Sequence, residues 1–122
     1  MFGEFIKKRR LDQGITLREF CRLTEIDPSN WSKIERGVKS PPQDEMRLRQ
    51  IAEILNIQIG TSLWEEMKDM VKVDAGAIPE DICSNRRILN SLPIFFRTLR
   101  NEKPEDLERL IDLIRKSETS EE

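Results

Sequence analysis

The reactive side chains of this 122-residue sequence are thiols and carboxylates, because it contains no histidine. Without an imidazole there is no Ser-His-Asp triad, no histidine base to activate Cys21 or Cys83, and no histidine ligand for a metal ion. The two cysteines are too far apart for a zinc ribbon, and the 23 acidic residues form no recognisable catalytic pair. The sequence also has no glycine-rich phosphate loop. We therefore expect no enzyme, no metal and no cofactor.

The basic side chains, which could neutralise phosphates, are unevenly distributed. The whole chain holds 21 basic and 23 acidic residues, with a net charge of −2 and a pI near 5.4. Residues 1–40 hold nine basic and six acidic residues, a net charge of +3, whereas the rest of the chain has a net charge of −5. A basic N-terminal third beside an acidic remainder predicts two different kinds of partner.

No segment of the sequence predicts a membrane span or a secretory signal. The longest uncharged run, Ile54–Trp64, has 11 residues, against the roughly 20 that a spanning helix needs. The start of the chain, MFGEFIKKRR, lacks an apolar region after its basic cluster. A cytoplasmic protein without a membrane partner is the expectation.

The elements that must position these side chains are all predicted to be helices. No segment alternates apolar and polar residues for long enough to predict a strand. The fold class is therefore all-α. The predicted helices are 2–13, one that begins after Thr16 and reaches Thr24, one that opens at Asp27-Pro28 and stops at Gly37, 44–56, a fifth within 59–73, a helical stretch over 80–100 interrupted near Pro93, and a last helix from Pro104 that ends in a polar, fraying SETSEE segment.

Residues 16–37, TLREFCRLTEIDPSNWSKIERG, form the most informative segment. Thr16 and Glu19 have the spacing of a capping box, in which hydroxyl and carboxylate each satisfy a backbone amide. Asp27 and Pro28 supply an N-cap and a first-turn proline for the next helix. Two short capped helices joined by a tight connection have helix-turn-helix geometry, in which the second helix enters the DNA major groove.

This segment resembles the Cro/CI-type (XRE) family of phage-repressor helix-turn-helix proteins. The resemblance covers about residues 5–57: a basic first helix, Thr16 and Glu19, the SKIERG ending, then a proline and a fourth amphipathic helix. It implies a lambda-repressor-like domain of four to five helices with an appended C-terminal helical segment. The sequences AIPEDI, LPIFFRTLR and LIDLIRKS further along resemble, more weakly, the tails of short antitoxin-like members.

The resemblance also implies roles for single residues. Lys33 can donate to guanine O6 and N7, whereas Pro28 can contact only a thymine methyl group. Arg10 and Glu35 occupy positions where the family often has a structural ion pair. The implied base-edge contacts are Pro28, Ser29, Ser32 and Lys33. The implied phosphate contacts are Thr16, Leu17, Arg18, Asn30, Arg36 and Lys39.

Three positions depart from the family pattern. Glu25 stands where a turn glycine is usual, and a left-handed backbone there would cost on the order of 1 kcal/mol, so the turn is expected to differ. Leu17 replaces a glutamine that often contacts the DNA backbone. Pro28 and Ser29 are poor bidentate readers, which shifts weight to phosphate contacts and DNA shape.

Several side chains allow a structural interpretation beside a functional one. Trp31 and Cys21 are expected in the core rather than at a base or in catalysis. The basic cluster Lys7–Arg10 fits a solvated face as well as a flanking DNA contact. Phe95 and Phe96 are adjacent, so one of them is expected to meet another helix or chain. Apolar residues that fit either a core or a dimer or partner surface are Trp64, Met67, Leu107, Leu110, Ile111 and Ile114.

The predicted organisation is a DNA-binding domain at 1–58 with its motif at 16–37, a fifth helix at 59–73, and a dimerisation or partner-binding segment at 74–122. The leading hypothesis is a sequence-specific transcriptional regulator, a repressor that binds a palindromic site in double-stranded DNA as a homodimer. The alternative is an antitoxin-like protein whose C-terminal segment binds a partner protein while its N-terminal domain autoregulates the operon.

Overall fold

The computed structural model describes residues 1–101 and 103–120, and the regular structure within them is entirely helical. The all-α fold class is therefore confirmed. The chain divides into two compact units, Met1–Pro79 and Glu80–Glu122, which we call the N-terminal and C-terminal units. The helices are α1 (Phe2–Asp12), α2 (Leu17–Thr24), α3 (Pro28–Glu35), α4 (Glu45–Ile54), α5 (Ser62–Asp74), α6 (Glu80–Cys83), α7 (Arg86–Asn101) and α8 (Pro104–Ser120).

The core of the N-terminal unit is built around an aromatic cluster. α1 packs against α3 and α5, while α2 packs against α3 and α4. The ring of Trp31 lies 4.7 Å from that of Phe20 and 6.3 Å, edge-on, from that of Phe2, measured between centroids. Trp31 therefore belongs to the core, as expected. The other buried apolar residues are Ile6, Cys21, Ile34, Leu48, Ile51, Ala52, Leu55, Ile57, Trp64, Met67 and Val71.

Helix α5 completes this core and decides between the two interpretations of its apolar residues. Trp64 and Met67 are only 2% and 0% exposed. Side chains enclosed in this way cannot reach a second chain unless the unit opens, so their assignment to a dimer or partner surface is corrected here. The end of α5 is also held, because the Asp74 carboxylate accepts a hydrogen bond from the backbone N–H of Phe2 at 2.8 Å.

Gly3 lets α1 approach α3 closely. A Cβ atom at this position would lie 2.4 Å from the carbonyl oxygen of Ile34 and 2.5 Å from that of Glu35. Both are backbone atoms that cannot rotate away, so a larger residue would force the helices apart. The contact holds the end of α3 firmly against the rest of the unit.

The four consecutive basic residues of α1 have three different environments. Lys7 and Lys8 are exposed. Arg9 turns towards the end of α4, where its Nε donates to the carbonyl oxygen of Leu55 at 2.9 Å, a group that the helix itself leaves without a partner. Arg10 is buried, with 6% exposure. A single role for the cluster, solvated face or DNA contact, therefore fits only its first two residues.

In the C-terminal unit, the break between helices lies earlier than the sequence analysis predicts. Helix α7 runs through Pro93 without interruption, and the break falls between α6 and α7 at residues 84–85. There Asn85 accepts a hydrogen bond from the backbone N–H of Ile88 at 3.2 Å and acts as a cap. A helix can carry an internal proline with the loss of one hydrogen bond and a bend.

Helix α8 extends further than predicted, to Ser120, so the start of the SETSEE segment is helical; its last two residues lie outside the described part of the chain. The adjacent Phe95 and Phe96 are both exposed, at 54% and 41%. Among the described residues, none of the helices combines the length and apolar character that crossing a bilayer requires.

Candidate nucleic-acid interface

Helices α2 and α3 form the two-helix arrangement that the capping residues predict. Thr16 precedes α2 and its Oγ1 accepts a hydrogen bond from the amide of Glu19 at 3.1 Å. Asp27 precedes α3, its carboxylate accepts from the amide of Asn30 at 3.2 Å, and Pro28 occupies the first turn. The two helices pack against each other through the buried Phe20 and Trp31.

The capping box at α2 is only half formed. Its hydroxyl bonds as predicted, but the Glu19 carboxylate instead accepts two hydrogen bonds from Arg22, from Nε at 2.9 Å and from Nη2 at 2.6 Å. The bonds from Arg22 hold the pKa of Glu19 below its usual value. Arg22 is therefore already paired at the surface of α2.

The turn between the helices keeps the left-handed backbone that glycine normally adopts. Glu25 ends α2 with φ 58° and ψ 33°, and its N–H donates to the carbonyl oxygen of Cys21. The expectation of a different turn is therefore wrong. The hydrogen bonds that close α2 and the packing of α3 hold Glu25 in this conformation although its side chain disfavours it.

Substituting Glu25 with glycine should raise the free energy of unfolding by about 0.5–1 kcal/mol, because glycine has no Cβ strain in this region and the exposed glutamate side chain makes no core contact. Urea unfolding would measure the change. Asn56, with φ 59°, offers a matched control, since asparagine tolerates this conformation and Asn56→Gly should gain less. A stability loss for Glu25→Gly would contradict the prediction.

The implied base-edge residues share the outer face of α3. Pro28, Ser29 and Lys33 are exposed and Ser32 is half-buried. The opposite face is closed, because Trp31, Ile34 and Glu35 are buried. The structure thus brings the four implied readers together on one accessible side of the helix, which is the arrangement that a recognition helix needs.

The start of α3 narrows what Ser29 can present to a base. Its hydroxyl donates to Asp27 Oδ2 at 2.8 Å, so the oxygen offers only lone pairs outward. This hydrogen bond, followed by the one from the amide of Asn30, lowers the pKa of Asp27, so that its carboxylate stays ionised. An acceptor of this kind matches the amino groups of adenine or cytosine in the major groove.

The implied phosphate contacts fall into two groups. At the start of α2, the backbone amides near Thr16 and Leu17 precede the first hydrogen-bonded turn and are suited to an anion. The Leu17 side chain packs against the core, so only its amide is available. Arg18 beside them is exposed.

The second group lies on and after α3. Arg36 and Lys39 are exposed and Asn30 is half-buried. The guanidinium of Arg36 lies along its own helix, with its Nε donating to the carbonyl oxygen of Ser32 at 3.4 Å. Arg36 and Lys33 are thus close together on one surface, where their positive charges add to each other.

Arg10 and Glu35 form the ion pair that the resemblance implies. Arg10 Nε and Nη2 each donate to a Glu35 carboxylate oxygen at 2.9 Å, and both side chains are more than 90% buried. Glu35 also accepts from Trp31 Nε1 at 2.7 Å, and Arg10 Nη1 donates to the carbonyl oxygen of Ile15 at 2.9 Å. The hydrogen bonds to Glu35 raise the pKa of Arg10 above its usual value. This network fixes α1, α3 and the residues before α2 relative to each other.

Arg47 and Gln50 of α4 hold the end of α2, which the sequence analysis missed. Arg47 donates to the carbonyl oxygen of Thr24, and Gln50 Nε2 donates to that of Leu23 at 3.4 Å. The two side chains also bond to each other at 2.9 Å. Their only signal in the sequence is the three-residue spacing of two polar residues beside an apolar stripe.

Cys21 has no geometry for catalysis. It is 3% exposed, and burial raises the pKa of its thiol, which disfavours the reactive thiolate. The structure places it among the core residues, as expected. Among the described residues, no group of histidine, cysteine and carboxylate side chains could hold a metal ion.

Comparison with known proteins identifies the N-terminal unit. No curated protein and no solved structure matches the chain. A family model described as a helix-turn-helix domain matches residues 3–63, half of the chain. The match covers α1 to α4, together with the connection that leads into α5. With the capped helix pair and its buried anchor, it shows that the chain belongs to the helix-turn-helix domain family.

Proposed function

We propose that this protein is a sequence-specific DNA-binding transcriptional regulator, a repressor that binds a palindromic operator as a homodimer. The observation that carries the proposal is the outer face of α3, where Ser29, Ser32 and Lys33 are accessible. The opposite face of the same helix is anchored by the buried Glu35 and Trp31. A rigid helix with short polar side chains on its outer side can enter the major groove without rearrangement.

The readout would combine a few base contacts with many phosphate contacts. Lys33 supplies a donor for guanine, and Ser29 supplies an acceptor for adenine or cytosine. Neither forms a bidentate pair, so the exposed cations and the amides at the start of α2 would provide most of the affinity. One short recognition helix binds weakly, and two copies on half-sites about 34 Å apart would remedy this.

Substituting Lys33 with alanine should reduce discrimination between the preferred site and random DNA by about 1–3 kcal/mol, because a base-edge donor is lost. Site selection from a random DNA pool, followed by titration of the preferred and a scrambled duplex, would measure this. Lys103, an exposed lysine of the C-terminal unit, gives a control of equal charge change. Lys103→Ala should leave the preferred sequence unchanged.

The same titrations should show affinity falling steeply with salt, with a log–log slope of roughly −0.9 for each phosphate contacted. A flat salt dependence, or a Lys33→Ala variant that selects an unchanged site with unchanged affinity, would contradict docking through α3.

A second candidate function is an antitoxin-like one, and the exposed apolar side chains of the C-terminal unit favour it. Phe95 is 54% exposed and Ile114 is 52% exposed, as expected of residues that bind a protein. In that case the full chain, purified from its own cells, would carry a different protein in fixed stoichiometry. A chain that carries only a second copy of itself would favour the repressor.

A further inference from the structure

Helix α7 combines a purely basic charge with exposed apolar residues. Its sequence, RRILNSLPIFFRTLRN, has four arginines and no acidic residue. Arg97 and Arg100 lie one turn apart and both are exposed. Ile94 and Phe95 beside them are 67% and 54% exposed. A contiguous apolar surface edged by charges of one sign is typical of an interface with an acidic partner.

Helix α8 carries the opposite charge on a similar apolar surface. Its first nine residues contain Glu105, Asp106, Glu108 and Asp112 against one arginine. Among its apolar residues, Leu110 and Ile111 are 41% and 39% exposed, and Leu113 and Ile114 are 60% and 52% exposed. Basic residues occur mainly further along, at Arg115 and Lys116. The chain thus contains both an exposed basic apolar helix and an exposed acidic one.

We infer that the occupant of these surfaces is a second copy of this chain, with α7 of one copy lying antiparallel against α8 of the other. This inference rests on the proposed function, which needs a two-fold dimer, and it specifies the interface. In a two-fold arrangement each contact occurs twice, so both surfaces of both copies are covered and none remains to recruit a third chain.

The spacing of charges selects the antiparallel orientation. Arg97 and Arg100 are three residues apart, as are Glu105 and Glu108, and the rise per residue is the same in both helices. An antiparallel register that brings Arg100 beside Glu105 therefore also brings Arg97 beside Glu108.

The same register places apolar residues level with each other. Phe95 comes opposite Leu110, and Ile94 comes opposite Ile111. In a parallel pair with the helix starts aligned, Arg97 would instead come opposite Lys116, which is repulsive.

Charge reversal on the full chain tests the inference. Arg97→Glu with Arg100→Glu, and separately Glu105→Arg with Glu108→Arg, should each weaken the homodimer by about tenfold or more, because like charges then face each other twice. Mixing the two variants should restore a dimer of near wild-type affinity, and that dimer should contain one copy of each. Sedimentation and native mass spectrometry would measure dissociation constants and composition.

Two controls accompany these variants. Reversing Glu65 and Glu66, which are exposed on α5, should leave the dimer unchanged, as should Lys33→Ala. The second control separates the inference from the proposed function: a monomeric chain whose site selection still depends on Lys33 would overturn the interface and leave recognition by α3 intact.

Three results would overturn the inference. The first is a wild-type chain that stays monomeric at concentrations well above those at which it binds DNA. The second is a wild-type dimer that neither reversal weakens, which would place the interface elsewhere. The third is a pair of monomeric variants that do not associate when mixed, because this would show that α7 and α8 pair within one chain.

Discussion

Replacing Glu35 with alanine is expected to lower the free energy of unfolding by about 3–5 kcal/mol, since it leaves a buried arginine without its counter-charge. Glu35 accepts two hydrogen bonds from Arg10 and one from Trp31 Nε1. All three donors lose their acceptor in the variant, and none of the three can turn to water without opening the contact between α1 and α3. Urea unfolding followed by far-ultraviolet circular dichroism would measure the loss.

Two comparisons separate this effect from a general intolerance of substitution. Glu19→Ala removes the same side chain from an ion pair with Arg22 that is largely exposed, and should cost less than about 1 kcal/mol. The double variant Arg10→Met with Glu35→Leu removes both buried charges and should be far less destabilised than Glu35→Ala. If Glu35→Ala lost no more stability than Glu19→Ala, the ion pair would not be the anchor of α3.

Replacing Met67 with alanine is expected to lower the free energy of unfolding by about 2–5 kcal/mol, because it empties a fully enclosed position. Met67 is 0% exposed and lies in the same core as Trp64 and Val71. The substitution should destabilise the whole N-terminal unit, including the helix-turn-helix pair, since α5 packs against α1. Thermal unfolding monitored by tryptophan fluorescence would report on this core, because both tryptophans lie in it.

The protein-concentration dependence distinguishes a core role from an interface role. Glu66→Ala, on an exposed position of the same helix, should change stability by less than about 0.5 kcal/mol. If Met67 served an interface between chains, the loss caused by Met67→Ala would shrink as the protein is diluted. The loss should instead be the same at every concentration at which the dissociation state is matched to that of the wild type.

The helix starts could be predicted from sequence because each depends on residues within one turn. Thr16 and Asp27 cap α2 and α3 as their types and spacing indicate. The same local logic located the outer face of α3, since the buried Trp31 and Ile34 define which side remains accessible. It was less reliable in the C-terminal unit, where Pro93 predicted a break that α7 does not have.

By itself, the sequence determined the all-α class, the capped helix pair and the basic N-terminal third, because periodicity, capping and charge are properties of neighbouring residues. Only the tertiary structure decided which cations are free and which are structural. Lys7 and Lys8 face solvent, whereas Arg9 caps α4 and Arg10 pairs with Glu35. These partners lie more than 20 residues away in the chain, and local pattern contains no information about contacts over such separations.

The same reason explains the two further differences. Glu25 keeps a left-handed turn because the packing of α2 and α3 holds it there, which outweighs the local preference of the residue. Trp64 and Met67 form an apolar stripe that would look identical in a core and in an interface. Only the position of α5 against α1 placed that stripe inside the N-terminal unit.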